Sequence, residues 1–456
     1  MNKIKRRHFI KKIGGAAAGT IAAPMLATLI TKNIQAAVSK VKHLPASEVA
    51  QNEDFWFHIQ QAYTSSPSTI NLNNGGVSPQ PKVVQDAVEQ YMRASNEGPA
   101  YYMWHVYGKG KETIRTKLAN LSGCSPEEIT INRNSTESLE TIIYGLPMEK
   151  GDEVLMCNQD YGSMRNAFYQ RATREGIVTK EVKIPVPPKN LDVIRDIFEK
   201  AITNKTKYVH VTHMINLTGQ ILPVKDICKV AHEKGLEVIV DAAHTFAHLD
   251  YNIPDLGCDY LGTSLHKWLC APFGSGMMYI KRDKIEKVWP LFAEGNQPKD
   301  NIRKFDHLGT HSVAHELAIG HAINFHNGIG SKRKEERLRY LKNYWAKQLM
   351  ELPEVYLNTS LDADQSCGLA NFGIKEVKPG EITKYLFSKH RIYTIPIGKP
   401  EPKAVNQSVD DKKMYPGIEH ADIDFEGVRV TPHVYTTIED LDLFVRGVKD
   451  FIQKRK

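Results

Sequence analysis

At 456 residues the chain exceeds what one small core accommodates, so two domains are expected. It carries 60 Lys/Arg against 52 Asp/Glu, but residues 1–37 hold seven of the basic ones (Lys3, Lys5, Arg6, Arg7, Lys11, Lys12, Lys32) and no acidic residue. The remainder, 53 against 52, is close to neutral and excludes the basic working face of a nucleic-acid-binding protein.

The chain opens with the basic stretch KIKRRHFIKK and the weakly apolar run IGGAAAGTIAAPMLATLI. The pair Arg6-Arg7, with Phe9-Ile10-Lys11 behind it, resembles a bacterial twin-arginine export signal. This reading assigns residues 1–37 to a signal handled by the twin-arginine machinery and the protein to the periplasm, or to a membrane-anchored form if the signal stays uncleaved. The run approaches spanning length, but its Gly/Ala content and Pro24 make it a poor anchor. QAAVS, around Ala36-Ala37, offers small residues for cleavage without a clean A-x-A.

Residues 38–80 look irregular and polar, an N-terminal segment ahead of a large domain at 81–330. There, strand-like runs alternate with helical ones: EITINR before ESLETIIYGL, DEVLMC before MRNAFYQRATREG, YVHVTHM before PVKDICKVAHEKG, then LEVIVDAA, DYLGTS and GMMYIK. Such alternation predicts an α/β domain whose mostly parallel sheet is covered on both faces, with ligands at the carboxyl ends of the strands. Residues 301–346 read as long helix, and the charges of SKRKEERLRYLKNYWAKQL as a solvated helix face. Beyond it LANFGIKEV, RIYTIPI and EGVRVTPHVY are strand-like and EDLDLFVRGVKDFIQK helical, a smaller α+β domain at 331–456. Six cysteines (Cys124, Cys157, Cys228, Cys258, Cys270, Cys367) show no C-x-x-C spacing, so neither a disulfide framework nor a cysteine zinc site is implied.

Four features sit at predicted strand ends. Asp241 closes LEVIVD and, if buried, needs a cationic or hydrogen-bonding partner. Lys267, in the apolar stretch GTSLHKWLCAPFGSG, is either a snorkelling surface lysine or an amine whose pKa desolvation lowers, making it available to a carbonyl. The turn NRNSTES brings Ser135, Thr136 and free backbone N–H groups to a helix start, which suits either a phosphate or a plain N-cap. Tyr161 in CNQDYGSM offers a flat face. Together they meet the needs of pyridoxal 5'-phosphate: an amine for its aldehyde, an anion for its ring nitrogen, a stacking face and a phosphate cradle.

DAAHTFAHLD, the S-x-H-K of Ser264, His266 and Lys267, and the glycines before GMMYIK resemble the class V aminotransferase family, its isopenicillin N epimerase-like group in particular. The likeness runs from LNNGG (72–76) to VRVTPHVYTTIEDLD (428–442). It implies a fold-type I homodimer with a seven-stranded sheet and active sites near the subunit boundary. It implies an enzyme acting at the Cα of an amino acid or amino-acid-ended metabolite through an external aldimine, by epimerisation or transamination. A C–S or β-elimination lyase is the alternative, and a non-catalytic homologue a more distant one. Carried across, Lys267 holds the cofactor and moves the Cα proton, Asp241 pairs the ring nitrogen, His244 bonds the phenolic oxygen and Tyr161 stacks. Ser135, Thr136, Glu137, Ser264 and His266 would hold the phosphate, with Thr310 reaching the neighbouring subunit's. Arg429 would grip the substrate carboxylate, and Asn73 and Asn74 would lie where the family's N-terminal segment approaches the substrate. Tyr101, Tyr102 and His105 are candidates for shaping the substrate pocket or for a second base.

The desulfurases of this family carry a cysteine shortly before the final R-x-S/T strand; here no cysteine follows Cys367, and the R-T-G-H context is missing near IYTIPIG. Sulfur transfer is therefore disfavoured. The i, i+4 histidines of HTFAH and HSVAH have zinc-like spacing, but no metal is expected.

Overall fold

The computed structural model describes residues 22–398, 414–415, 417–418 and 422–455, with side chains from residue 32 onward. Arg6 and Arg7 lie outside the described residues. Thirteen strands are described: β1 (Ile70–Asn71), β2 (Ile129–Asn132), β3 (Glu153–Cys157), β4 (Val178–Val182), β5 (Thr206–Thr212), β6 (Glu237–Asp241), β7 (Tyr260–Ser264), β8 (Gly276–Ile280), β9 (Val355–Leu357), β10 (Ala370–Ile374), β11 (Ile392–Tyr393), β12 (Ile395–Ile397) and β13 (Gly427–Val430). Seven form the main sheet in the order β2-β8-β7-β6-β5-β3-β4, with β8 alone running against its neighbours. Strands such as ITIN, EVLMC and EVIVD are nearly continuous apolar runs because helices cover both faces. The smaller sheet, β12-β13-β10-β9, is antiparallel, and β1 adds to β11 in a separate parallel pair.

Local sequence explains how the elements meet. Helix α1 (Ser135–Gly145) begins where the Asn134 side chain accepts the Glu137 N–H. It lies against β7 because Gly262 has no Cβ; one built there would fall 2.6 Å from Leu139 Cγ. That close approach brings the start of α1 beside Ser264. Helix α2 (Gly162–Glu175) follows β3, with Tyr161 at its N-cap, and ends at Gly176 in the left-handed region.

Three expectations are corrected. The segment 38–80 is not irregular in its first half: helices span Ala22–Val41 and Glu53–Gln60, and Phe55, Trp56 and Ile59 bury one face together with Ile34, Ala37 and Val41. Polar composition hid this short apolar stripe. The single long helix is two, Val313–Ile329 and Ser331–Met350 (α3), parted at Gly330 with φ +94. The charge run on α3 is only partly solvated: Lys332 and Lys347 are exposed, but Lys334, Glu335, Arg337 and Lys342 are buried. Each buried one has a partner, as buried charge requires. Arg337 donates to both carboxylate oxygens of Glu53 and to Ala50 O, and lies over the Trp56 ring; Lys342 donates to Ser366 Oγ, Lys334 to Trp268 O. Among the described residues no helix is long and apolar enough to cross a membrane.

The turn after β5 fastens the two sheets. Asn371 Nδ2 donates to Leu217 O, Thr359 Oγ1 to Thr218 O, and the Ile221 N–H to Gln365 O. Gly219, at φ +78, packs so tightly that a Cβ would lie 2.1 Å from the Leu369 carbonyl oxygen. Gly219→Ala is expected to lower stability by at least about 2 kcal/mol, measured by urea unfolding.

Candidate active site

Lys267 follows β7 on a loop that folds back into β8. Its Nζ lies 3.2 Å from His244 Nε2. Burial pushes the amine down to about 8; Asp241 pulls it up and Arg429 pushes it further down. Burial, then the charges of Lys267 and Arg429, hold His244 well below the usual imidazole range. A neutral ring that accepts from an ammonium at Nε2 carries its own proton on Nδ1. That Nδ1 is buried and has no partner.

Asp241 ends β6, buried, with Oδ1 accepting the Ala243 N–H at 2.9 Å. Burial pushes its carboxyl up, while the Ala243 N–H, His210 and Lys267 draw it down and Asp160 pushes it up. At the start of α1 the Ser135 N–H donates to Ser264 Oγ, and Ser264 Oγ donates to Ser135 Oγ, both at 3.0 Å. The Glu137 N–H, expected to face a phosphate, is instead capped by Asn134, and the Glu137 carboxylate is taken by Arg133. Glu137 thus has no donor left to offer. His266 donates from Nδ1 to Ser275 O at 3.1 Å, leaving Nε2 on the opposite side of the ring.

Arg429, on β13, is buried without any carboxylate partner among the described residues. Its Nη2 donates to Asn73 Oδ1 at 2.8 Å and its Nη1 to Asn216 O at 3.0 Å; Nε has no partner. Burial pushes the guanidinium down to about 10, and nearby Tyr161 and Tyr393 pull it up. Asn73 therefore stands beside Arg429. Asn74 does not remain available: its Nδ2 donates to Asn71 O and Thr431 O, and its Oδ1 accepts from Tyr435 Oη and Asn71 Nδ2. It acts as a fastener between β1 and β13. Tyr161 is 44 % exposed at the start of α2. Thr310 lies in the exposed loop before Val313–Ile329, joined by no described hydrogen bond to the other site residues. Tyr101 is exposed just ahead of a wide helical turn at Tyr102–Tyr107, in which Tyr102 is half-buried and His105 exposed; none has a described bond to Lys267.

One member of each histidine pair is occupied otherwise. His248 donates from Nδ1 to His244 O and accepts the Gly368 N–H at Nε2, so no lone pair is left for an ion. His311 is paired with Glu316 and Gly309 O.

Buried atoms without partners on β5, its following turn and the residues facing them include Thr212 Oγ1, His213 Nδ1, Asn216 Oδ1, His244 Nδ1 and Arg429 Nε. Orphaned buried polar atoms are uncommon and call for a ligand. Together with the depressed amine, they fit a polar aromatic aldehyde with a phosphate and an amino acid carrying a carboxylate. Sequence reasoning missed Thr212, His213 and Asn216; their position at the end of the strand-like run YVHVTHM was the available signal.

The amine is more easily neutralised in the fold than in the unfolded chain. Below about pH 8 both states hold the proton and the fold bears the whole cost of a buried charge; from there to the ordinary 10.5 that cost fades. Lys267→Met is expected to stabilise the ligand-free protein at pH 7 by about 2 kcal/mol, a gain that disappears towards high pH in urea titrations.

The profile of the Aminotransferase class-V family matches residues 70–444. The isopenicillin N epimerase of Amycolatopsis lactamdurans is 28% identical over 312 residues, covering 64% of this chain and 78% of that protein. A probable cysteine desulfurase of Halalkalibacterium halodurans is 28% identical over 346 residues, 72% of this chain and 83% of its own. The apo cysteine desulfurase of Thermococcus onnurineus superposes with a TM-score of 0.72 at 22% identity, over 87% of this chain and 98% of that one. The cystine C–S lyase C-DES, solved with cysteine persulfide, gives 0.72 at 21% identity over 84% and 98%. The chain belongs to the aminotransferase class-V family.

Proposed function

We propose that this class V, pyridoxal-phosphate-dependent enzyme acts at the Cα of an amino acid or amino-acid-ended metabolite, by epimerisation or transamination. The observation that carries the reading is the buried amine of Lys267, lowered to about 8 and set near Asp241 and His244, with the Arg429 guanidinium, which has no carboxylate partner among the described residues, nearby. The cofactor supplies an aldehyde that condenses with amines and a ring that accepts electrons from Cα.

The protein's residues divide the remaining work. Lys267, already shedding its proton near pH 8, can hold and return the Cα proton. The Asp241 carboxylate keeps a proton on the ring nitrogen, and the Nδ1 of His244 is placed to donate to an oxygen. Tyr161 covers a face of the ring. Ser135, Thr136, Ser264 and His266 take the phosphate, with Thr310 contributed across a homodimer. Arg429, oriented by Asn73, holds the substrate carboxylate; a bidentate fork fits that group.

The C–S lyase alternative draws support from the relatives named for sulfur chemistry. A desulfurase that works through a protein thiol is not supported by Cys367: it is buried, donates to Glu335 O, and burial pushes its thiol up to about 12. Elimination without a protein thiol stays open to test.

Borohydride treatment of yellow enzyme is expected to fix the cofactor on the peptide containing Lys267; colourless protein with no mass gain would sink the reading. In deuterated water, label at Cα with inverted configuration identifies epimerisation. Conversion of the cofactor to its amine form identifies transamination, and release of sulfide or a keto acid without that conversion identifies the lyase. The Arg6-Arg7 pair supports export through the twin-arginine route. Arg6→Lys with Arg7→Lys is then expected to retain the protein in the cytoplasm, checked by cell fractionation.

A further inference from the structure

Behind Asp241 lies a buried pair that the reading above does not use. Asp160, in the turn after β3, accepts the Cys157 N–H on Oδ2 and the Thr212 N–H on Oδ1. Its Oδ2 also lies 2.9 Å from His210 Nδ1. A carboxylate can only accept here, so His210 carries a proton on Nδ1. Both residues are buried, and His210 Nε2 has no partner.

The strand register places this pair. Thr212 lies opposite Asp241 and His210 opposite Ile239 in the parallel β5–β6 ladder. Side chains alternate along a strand, so His210 and Thr212 share the face of Asp241, with His210 one step deeper in the sheet. The edge of Phe168 closes over the imidazole at 5.6 Å. Three charge-bearing groups face this compartment from three elements: Asp160 from the β3 turn, Asp241 from β6, and Lys267 from the loop after β7. Cys157 lies against Asp160 with its thiol held well above the usual range by burial, hence uncharged. Burial draws His210 down, but Asp160 and then Asp241 draw it up further, so the imidazole gains its second proton more readily than a free one.

We propose that His210, held by Asp160, is a positioning residue for Asp241: its positive charge keeps the Asp241 carboxylate ionised, and so able to hold a proton on the cofactor's ring nitrogen. The inference rests on the cofactor reading above. Desolvation alone favours the neutral acid at Asp241, which could not pair a protonated ring. Lys267 cannot supply the missing charge throughout, because its amine must be neutral to react. His210 touches neither substrate nor cofactor, and its cation is stabilised on its far side by Asp160.

The variants are His210→Gln, Asp160→Asn, Asp241→Asn and the His210→Gln/Asp241→Asn double. In ligand-free protein with 15N-labelled histidine, His210 is expected as an imidazolium at neutral pH, becoming neutral in Asp160→Asn. In enzyme loaded with pyridoxal 5'-phosphate, His210→Gln is expected to shift the pH midpoint of the visible band upward by about half a unit or more, because the ring carries less positive charge. Asp160→Asn should shift it the same way by less, since removing Asp160 removes an opposing charge as well. The double variant should titrate like Asp241→Asn alone, a coupling that a purely structural role would not produce. A yellow His210→Gln enzyme with the wild-type midpoint overturns the proposal, as does a shift that persists undiminished without Asp241. If His210→Gln does not fold, Asp160→Asn decides by the imidazole charge and the midpoint together. Wild-type protein that never turns yellow overturns the cofactor reading instead.

Discussion

The structure turns on keeping one amine dry. Lys267 reaches the carboxyl edge of a parallel sheet, where burial strips its hydration and a single carboxylate, Asp241, supplies the nearest opposing charge. Three imidazoles packed around its loop add no positive charge. His244, His248 and His433 are all held below the usual imidazole range by burial. Behind the lysine the Trp268 ring is sandwiched between His248, at 3.7 Å, and His433, at 5.6 Å, and Lys334 on α3 holds the Trp268 carbonyl. The loop is thus fixed by packing on one side of Lys267 and by β7 on the other.

A second constraint brings substrate chemistry to that amine. Arg429 belongs to the smaller sheet, and it can face the larger one only because β1 and the β5 turn clasp β13 and β10. Asn71, Asn74, Thr431 and Tyr435 form the clasp on one side, and the β5 turn with Asn371 forms it on the other. Every member of the first group is hydrogen-bonded, as a buried polar network requires. Arg429, between the two, is left with an unpaired Nε. An uncompensated buried cation is unfavourable by itself, which is why it reads as a receptor for a carboxylate rather than as a structural pair.

The same logic explains α3. Its sequence, with nine charges in 20 residues, resembles a helix standing in water. Arg337 and Lys342 are nonetheless fully buried, because Glu53 and Ser366 come to them from segments about 284 and 24 residues away. The periodicity of a charged helix shows its faces and says nothing of what arrives to cover them.

Much of the site was legible before any coordinates. Asp241 and Lys267 each follow a short apolar run, and such runs mark strand ends in a parallel sheet; the alternation that predicts the sheet therefore also locates its chemistry. The helix start at Asn134 announces itself by residue type. These are local properties, written in periods of a few residues. Hidden were the helices ahead of residue 60, the saturation of Asn74, the capping of Glu137, the burial on α3 and the Asp160–His210 pair behind Asp241. Each depends on which distant groups share a compartment. Desolvation and hydrogen-bond completion are decided by that company, so the sequence by itself determined the large domain's strands and the reactive residues Asp241 and Lys267 at their ends. Only the tertiary structure decided which polar atoms were left without a partner and hence free to meet a ligand.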